Sequence, residues 1–407
     1  MPNASHRADE MPASPIRRLV PLAVAAESRG VHVHYLNIGQ PDVLTPTSFW
    51  DGIRDGIVPT LAYSPSPGVP SLRETAIADY VRRGFPVESD DFLVTTGGSE
   101  ATLWAFMVCC DPGDEVIVVE PYYANYSAMA LEAGVKLVAL TTRIEDEFAL
   151  PSAQEIEKRI TSRTRALLVC NPSNPTGTSF SPTELAALAD LAKRHDLFLI
   201  GDEVYRDFNY TDTPLVSVLN LPGLEEHAVM LDSVSKRFSA CGARIGFMVS
   251  KNKSVMAGAN KLAQARLSGP TLEQIGTERA IRETPLEYFT GVRVEYMRRR
   301  DVLLQELRAM PGVLAPDVKG AFYAIARLPV PDSEEFCKFL LNEFSLDGET
   351  VMMAPANGFY LTPGLGVNEV RIAYVLEEAK LVRAMRCLRA GLEAYTATIR
   401  VAAVASG

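Results

Sequence analysis

The sequence is short of the residues that build metal or disulfide frameworks. Its six cysteines form no Cys-x-x-Cys pair, and only five histidines are scattered over 407 residues. Neither a zinc site nor a disulfide scaffold is indicated. Most of the cysteines (Cys109, Cys110, Cys170, Cys241, Cys337, Cys387) stand inside apolar runs such as LLVC, so a cytoplasmic, reducing location is expected. His32 and His34 share one face of a possible strand, and with no third ligand nearby in the chain they read as a surface pair. No stretch reaches the ~18 uninterrupted apolar residues of a membrane span, and the N-terminal MPNASHRADEMPAS lacks an apolar signal core, so no membrane role is expected. Positive charge is also in deficit. Lys plus Arg total 40 against 50 Asp plus Glu, and the net charge of −10 repels phosphate backbones, so no nucleic acid partner is expected. GxxxxGK[ST], HExxH and GxSxG motifs are missing, and TPGLGVNE fails GxGxxG because Glu369 stands where the third glycine belongs.

What is present suits a compact protein. With 47% hydrophobic and 22% charged residues the chain has a globular composition, and its length suggests two or three domains at ~150 residues each. Residues 1–13 read as a loose tail, and SPIRRLVPLAVAAESRG as a short amphipathic arm opened by Ser14 and closed by Gly30. From Asp91 onward β-rich runs alternate with helical ones: DFLVTT, DEVIVV, KLVAL, RALLVC, LFLIG, VML and IGFMVS are separated by segments such as the helix from Ser181 to His195. That alternation is the signature of an α/β fold, a mostly parallel sheet sandwiched by helices. Residues 270–310 read as helix throughout, with Arg298, Arg299 and Arg300 on a solvated face. AFYAIARL, VRIAYV and two further helices suit a smaller α+β domain. The expected division is an arm at 1–45, a large domain at 46–285 and a small domain at 286–407.

Polar residues gather after the strand runs, where open α/β sheets place ligands. Gly97-Gly98-Ser99-Glu100 runs from a strand into a helix, whose free N–H groups suit a phosphate. Asn171-Pro172-Ser173-Asn174-Pro175-Thr176-Gly177 is a stiff turn that holds an asparagine amide near a strand end. Asp202-Glu203-Val204-Tyr205 puts a carboxylate at a strand terminus with a phenol three residues on. Ser233-Val234-Ser235-Lys236, with Arg244 eight positions later, combines hydroxyls, an amine and a guanidinium.

Together these motifs, with NPTG at Asn174 to Gly177 and VRIAYV around Arg371, resemble the fold-type I pyridoxal-phosphate-dependent aminotransferases, from about Tyr35 to the C-terminus. The resemblance implies the cofactor pyridoxal 5′-phosphate and exchange of an amino group between an amino acid and a 2-oxo acid. It implies Lys236 as the covalent anchor and base, which works best with a depressed pKa, and Asp202 as partner of the ring nitrogen. Asn174 and Tyr205 would bind the ring oxygen, and Tyr123 would lie on the ring face. Gly98, Ser99, Ser233, Ser235 and Arg244 would hold the phosphate. Arg371 would clasp the substrate carboxylate, with Gly39 close by. In the YxPxxGxPxLR-like stretch Tyr63 to Arg73, Tyr63 would cross to the partner subunit's phosphate, implying a homodimer with shared sites. The same lysine and fold also serve elimination, oxidation or cyclisation of amino acids, an alternative the motifs leave open. Ser99 stands where some aspartate enzymes carry a lysine for the distal carboxylate. Arg17 and Arg18 could replace that charge, whereas Ile16 and Leu19 favour apolar side chains, so a broad or non-acidic preference is expected.

Overall fold

The computed structural model describes residues 2–405. A first strand, β1 (His32–Tyr35), precedes seven that make one sheet: β2 (Phe92–Thr95), β3 (Glu115–Glu120), β4 (Lys136–Thr141), β5 (Thr164–Cys170), β6 (Phe198–Asp202), β7 (Ala228–Ser233) and β8 (Gly246–Val249). These are the seven apolar runs of the sequence. Their order is β2-β8-β7-β6-β5-β3-β4, parallel throughout except that β8 runs antiparallel to both neighbours. Successive side chains of a strand point to opposite faces, and β5 shows it: Leu167 and Val169 join one apolar core, Ala166 and Leu168 the other. Both faces are therefore covered by helices, which is why the strands read as continuous apolar runs rather than as alternating ones.

Local signals fix where the helices start and stop. Ser181 and Glu184 form a reciprocal capping box with Pro182 at the first turn of the helix Pro182–His195. Gly134, with φ +74°, ends the helix Asn125–Ala133 in the left-handed conformation that glycine adopts without strain. The long helical stretch expected over 270–310 is instead two helices, Thr271–Glu283 and Leu286–Arg308, because Pro285 removes a backbone donor at the junction. Its arginine triplet is not a solvated face either. Arg299 is 4% exposed and pairs with Asp42 at 2.6 Å and Glu295 at 2.8 Å, leaving Arg298 as the member in solvent. The arm is helical only over Val20–Ser28, and the tail before it carries a short helix, His6–Glu10.

The remaining strands are β9 (Tyr323–Arg327), β10 (Glu349–Met352), β11 (Ala354–Pro355) and β12 (Glu369–Ala373). β12 lies antiparallel between β9 and β11, while β10 pairs in parallel with β1, His34 opposite Val351. The arm is thereby stitched to the C-terminal part. Leu19, Ala23 and Val33 share one apolar core with Leu303, Leu340 and Leu381. Truncating a wholly buried leucine of this core to alanine costs about 2–5 kcal/mol. His34 is buried, so the expected surface pair of histidines is half right: His32 alone faces solvent.

Candidate active site

Between the C-terminal ends of the large sheet's strands and the strands β9 and β12 lies a cavity of about 570 Å³. Twelve sequence-predicted residues reach it: Lys236, Asp202, Tyr205, Gly98, Ser99, Tyr123, Asn174, Ser233, Ser235, Arg244, Gly39 and Arg371 all line its wall. Tyr63 does not; its side chain stands 80% exposed on the surface.

One end of the cavity is built for an anion. β2 ends at Thr95, and Gly97, with φ +73°, turns the chain into the helix Gly97–Cys109, leaving the amides of Gly98 and Ser99 in its first turn. A Cβ on Gly97 would stand 2.4 Å from Arg244 Nη2, so only glycine lets that guanidinium close over the helix end. Arg244 makes no ion pair among the described residues; its Nη1 donates to the Cys241 carbonyl at 3.2 Å. Ser233 caps the helix Val234–Arg237, its Oγ accepting from the Ser235 amide at 3.1 Å and lying 2.8 Å from Ser235 Oγ. Amides, hydroxyls and an unpaired guanidinium are the donor set of a phosphate dianion.

The middle of the cavity holds the titrating groups. Asp202 ends β6, is buried, and accepts a hydrogen bond from the Tyr126 hydroxyl. Burial pushes its pKa up to about 6, a carboxylate short of a cation. Lys236 Nζ donates to the Gly39 carbonyl at 2.8 Å and lies 3.6 Å from Cys241 Sγ. Burial pushes its pKa down, but the neighbouring Tyr323, Cys241 and Tyr123 outweigh burial and hold it above the usual lysine value. The depressed amine expected from sequence is thus not a property of the protein groups alone.

The far end holds a buried guanidinium. Arg371 of β12 is 1% exposed and stacked between the rings of Tyr323 and Phe359, 4.6 and 4.9 Å from its guanidinium carbon. It donates to Asn174 Oδ1 at 3.1 Å and to the Asn37 carbonyl, while its Nε has no partner. Burial lowers its pKa, since no carboxylate compensates it. Asn174 Nδ2 reaches the Tyr205 hydroxyl at 3.5 Å, which meets the Tyr323 hydroxyl at 2.9 Å. A Cβ on Gly39 would lie 1.8 Å from that Tyr323 oxygen, so the arm passes here only as glycine. Ile16, Arg17 and Ile38 complete the wall, whereas Arg18 is held by Glu334 at 2.9 Å and Asn357 at 2.7 Å, and Leu19 is buried in the core.

Sequence reasoning missed Tyr126, Tyr323 and Cys241. Tyr126 is one of three tyrosines in YYANY, and nothing local tells which one meets Asp202. Tyr323 sits in an apolar run, GAFYAI, that reads as plain strand.

A doubly covered, mostly parallel sheet with a phosphate cradle, an uncompensated carboxylate and a lysine at its strand ends defines the class of enzyme that works with a phosphorylated pyridine aldehyde. Residues 31–388 match the family model for aminotransferases of class I and II, and the chain belongs to that family. It is 33% identical over 371 residues to a probable aspartate/prephenate aminotransferase of Thermus aquaticus, covering 89% of this chain and 92% of that one. An aspartate aminotransferase of Pyrococcus abyssi is 32% identical, covering 94% and 96%. Among solved structures, the aspartate aminotransferase of Thermus thermophilus with maleate superposes with a TM-score of 0.87 at 31% identity, over 96% of this chain and all of the other. The protein is a fold-type I, pyridoxal-phosphate-dependent amino-acid aminotransferase, and its substrates are amino acids and 2-oxo acids.

Proposed function

We propose that the cavity is the transamination centre and that Lys236 is its covalent anchor and proton carrier. The observation that carries this reading is Arg371: a guanidinium wholly buried, without a carboxylate and with an unpartnered Nε, retains its attraction for the carboxylate of an incoming amino acid. Pyridoxal phosphate supplies the electron sink into which the electrons of the substrate Cα–H bond are drawn. Arg371 and the Gly39 backbone orient the amino acid. Gly98, Ser99, Ser233, Ser235 and Arg244 hold the phosphate, Asn174 and Tyr205 hold the ring oxygen, and Tyr123 lies against the ring. Asp202 would pair with the ring nitrogen, and a proton held there would draw the carboxylate's pKa back down. Lys236 would take the proton from the substrate Cα, so its amine has to be neutral when it acts. Tyr323, Cys241 and Tyr123 hold the amine above the usual lysine value, and a positive charge brought in by the cofactor would oppose them.

The reading includes a homodimer. Leu44, Trp50, Ile57, Val58 and Leu61, which precede Tyr63 in the chain, are exposed apolar side chains of the kind a second copy would cover. Tyr63 would then reach the partner's phosphate. The same reading divides the chain into an arm (1–45), a large domain (46–285) and a small domain (286–407). Cytoplasmic location is supported by six cysteines that all remain thiols. For the substrate side chain, Ile16 and Ile38 favour apolar groups and Arg17 is the cation available to a second carboxylate.

One pair of variants tests the centre and the sharing together. Lys236→Ala should yield no borohydride-reducible bond to the cofactor, and Tyr63→Ala should bind the cofactor weakly. Mixed and refolded, the two should regain part of the activity, since one of the two sites in a hybrid dimer is intact. Hybrids that form and stay inactive would return Tyr63 to its own chain.

A further inference from the structure

Away from the cavity, three elements bring metal-ligating groups to one spot. His34 of β1, Glu349 of β10 and Cys387 of the C-terminal helix, Glu378–Ala405, offer a nitrogen, an oxygen and a sulfur that all lie within 4.8 Å of one another. The parallel pairing of β1 with β10 sets this up: His32 stands opposite Glu349, and His34 two residues on reaches back to it with Nε2 2.9 Å from Oε2. His34 and Cys387 are each 2% exposed, whereas Glu349 is partly open to solvent. An ordinary histidine–carboxylate pair accounts for two of these groups. It leaves the thiol unexplained, since among the described residues Cys387 donates no side-chain hydrogen bond although its sulfur faces the other two.

We propose that His34, Glu349 and Cys387 form a binding site for a divalent cation of the zinc class, with water in the fourth position. The donor set decides the class. One imidazole, one thiolate and one carboxylate suit Zn²⁺ or Co²⁺, while calcium and magnesium want a shell of oxygens that three groups with a single carboxylate do not supply. Tetrahedral ligands at about 2.0–2.3 Å from zinc stand roughly 3.3–3.7 Å apart, so the 2.9 Å pair of His34 and Glu349 has to open slightly and the Cys387 sulfur has to close in by up to about 1 Å. On binding, the Cys387 S–H bond breaks, the metal–sulfur bond forms and the proton leaves to solvent. The proton between His34 Nε2 and Glu349 moves through solvent to Nδ1, and the freed nitrogen and carboxylate oxygen each form a bond to the metal.

Charges around the site oppose one another. Arg383 Nε lies 3.6 Å from Glu349 Oε2 and is 45% exposed, so it competes for the carboxylate but is free to swing outward. Arg386 faces Asp347 at 3.9 Å, both in solvent. A metal here would staple β1 to the C-terminal part. Three residues beyond His34, the Asn37 carbonyl receives Arg371, and two further on the Gly39 carbonyl receives Lys236.

Equilibrium dialysis of the holoenzyme against Zn²⁺, with bound metal counted per chain, tests the proposal. One equivalent is expected at micromolar free zinc, with a sulfur in the shell by X-ray absorption. His34→Asn and Cys387→Ser should each weaken binding by roughly 10–100-fold. Cys241→Ser, which removes the cavity thiol, should leave it unchanged, and Arg383→Gln should tighten it severalfold. Retained thermal unfolding in each variant shows that the fold survives, and Cys387→Ala repeats the test where serine disturbs the core. Less than about 0.1 equivalent bound at 100 μM free zinc overturns the site, as does undiminished binding in the Cys387 and His34 variants.

Discussion

Lys236 and Arg237 are consecutive residues of one short helix, yet they face opposite electrostatic worlds. Lys236 looks into the cavity, where it meets a carbonyl at 2.8 Å and a thiol at 3.6 Å and no carboxylate pairs with it among the described residues. Arg237 looks the other way, into Asp79 at 2.7 Å and Asp207 at 3.5 Å, with Arg83 bridging the same two acids. The contrast repeats farther out. Arg371 is buried without a counterion, whereas the buried Arg299 and the half-buried Arg206 stand beside Asp42 and Glu203. A buried cation that the fold neutralises belongs to stability; one left uncompensated is held at a cost the fold bears for a ligand.

The largest effect expected from this contrast is on the neutralised side. Asp79 is 2% exposed; burial pushes its carboxyl up, but Arg237, Arg83 and Arg82 outweigh burial and hold it below the usual range. Asp79→Ala should cost about 3–5 kcal/mol in urea unfolding, because Arg237 loses its nearer counterion. The folded fraction should keep its kcat within about twofold. A loss under ~1 kcal/mol would break the contrast.

Arg371→Leu is the mirror experiment. Its kcat/KM should fall roughly 10³-fold, about 4 kcal/mol, as a doubly hydrogen-bonded carboxylate contact is lost. Its Tm should hold or rise, since an uncompensated charge leaves the core. A Tm loss comparable to that of Asp79→Ala would make Arg371 structural.

Asp202 sharpens the comparison through pH. Its pKa in the cofactor-free fold is raised from 3.8 to about 6, so its contribution is complete below pH ~4 and is lost as pH rises to about 6. Asp202→Asn should therefore stabilise the cofactor-free protein at pH 8, by up to roughly 3 kcal/mol, and not at pH 4. Thermal melts at the two pH values check it; equal shifts at both would remove burial as the cause.

The smallest effect concerns Arg17. Arg17→Ala should lower kcat/KM for aspartate about tenfold relative to leucine, about 1.4 kcal/mol, because an exposed cation is screened by water. An unchanged ratio would take Arg17 out of the side-chain contacts.

Much of this was legible in the chain. All seven strands of the large sheet stand at their apolar runs, because a strand covered on both faces needs apolar residues at every position. The strand-end motifs also read out, since a turn that enters a helix through Gly97-Gly98 or a lysine that follows Ser233-Val234-Ser235 is encoded within a few residues. The contacts of the arm did not. Arg298, Arg299 and Arg300 look alike in sequence, and only the approach of Asp42 from 257 residues away separates the buried one from its neighbours. His34 reads as one half of a surface pair until β10 and the C-terminal helix close over it.

By itself, then, the sequence determined the sheet, the helix caps and the chemistry carried at the strand ends, because each rests on neighbours a few positions apart and on local hydrogen bonding. The tertiary structure alone decided which charges are neutralised. Whether Arg371 lacks a counterion, Asp202 titrates near pH 6 or Cys387 meets His34 depends on groups far apart in the chain, and electrostatic energy follows distance and burial rather than order along the backbone.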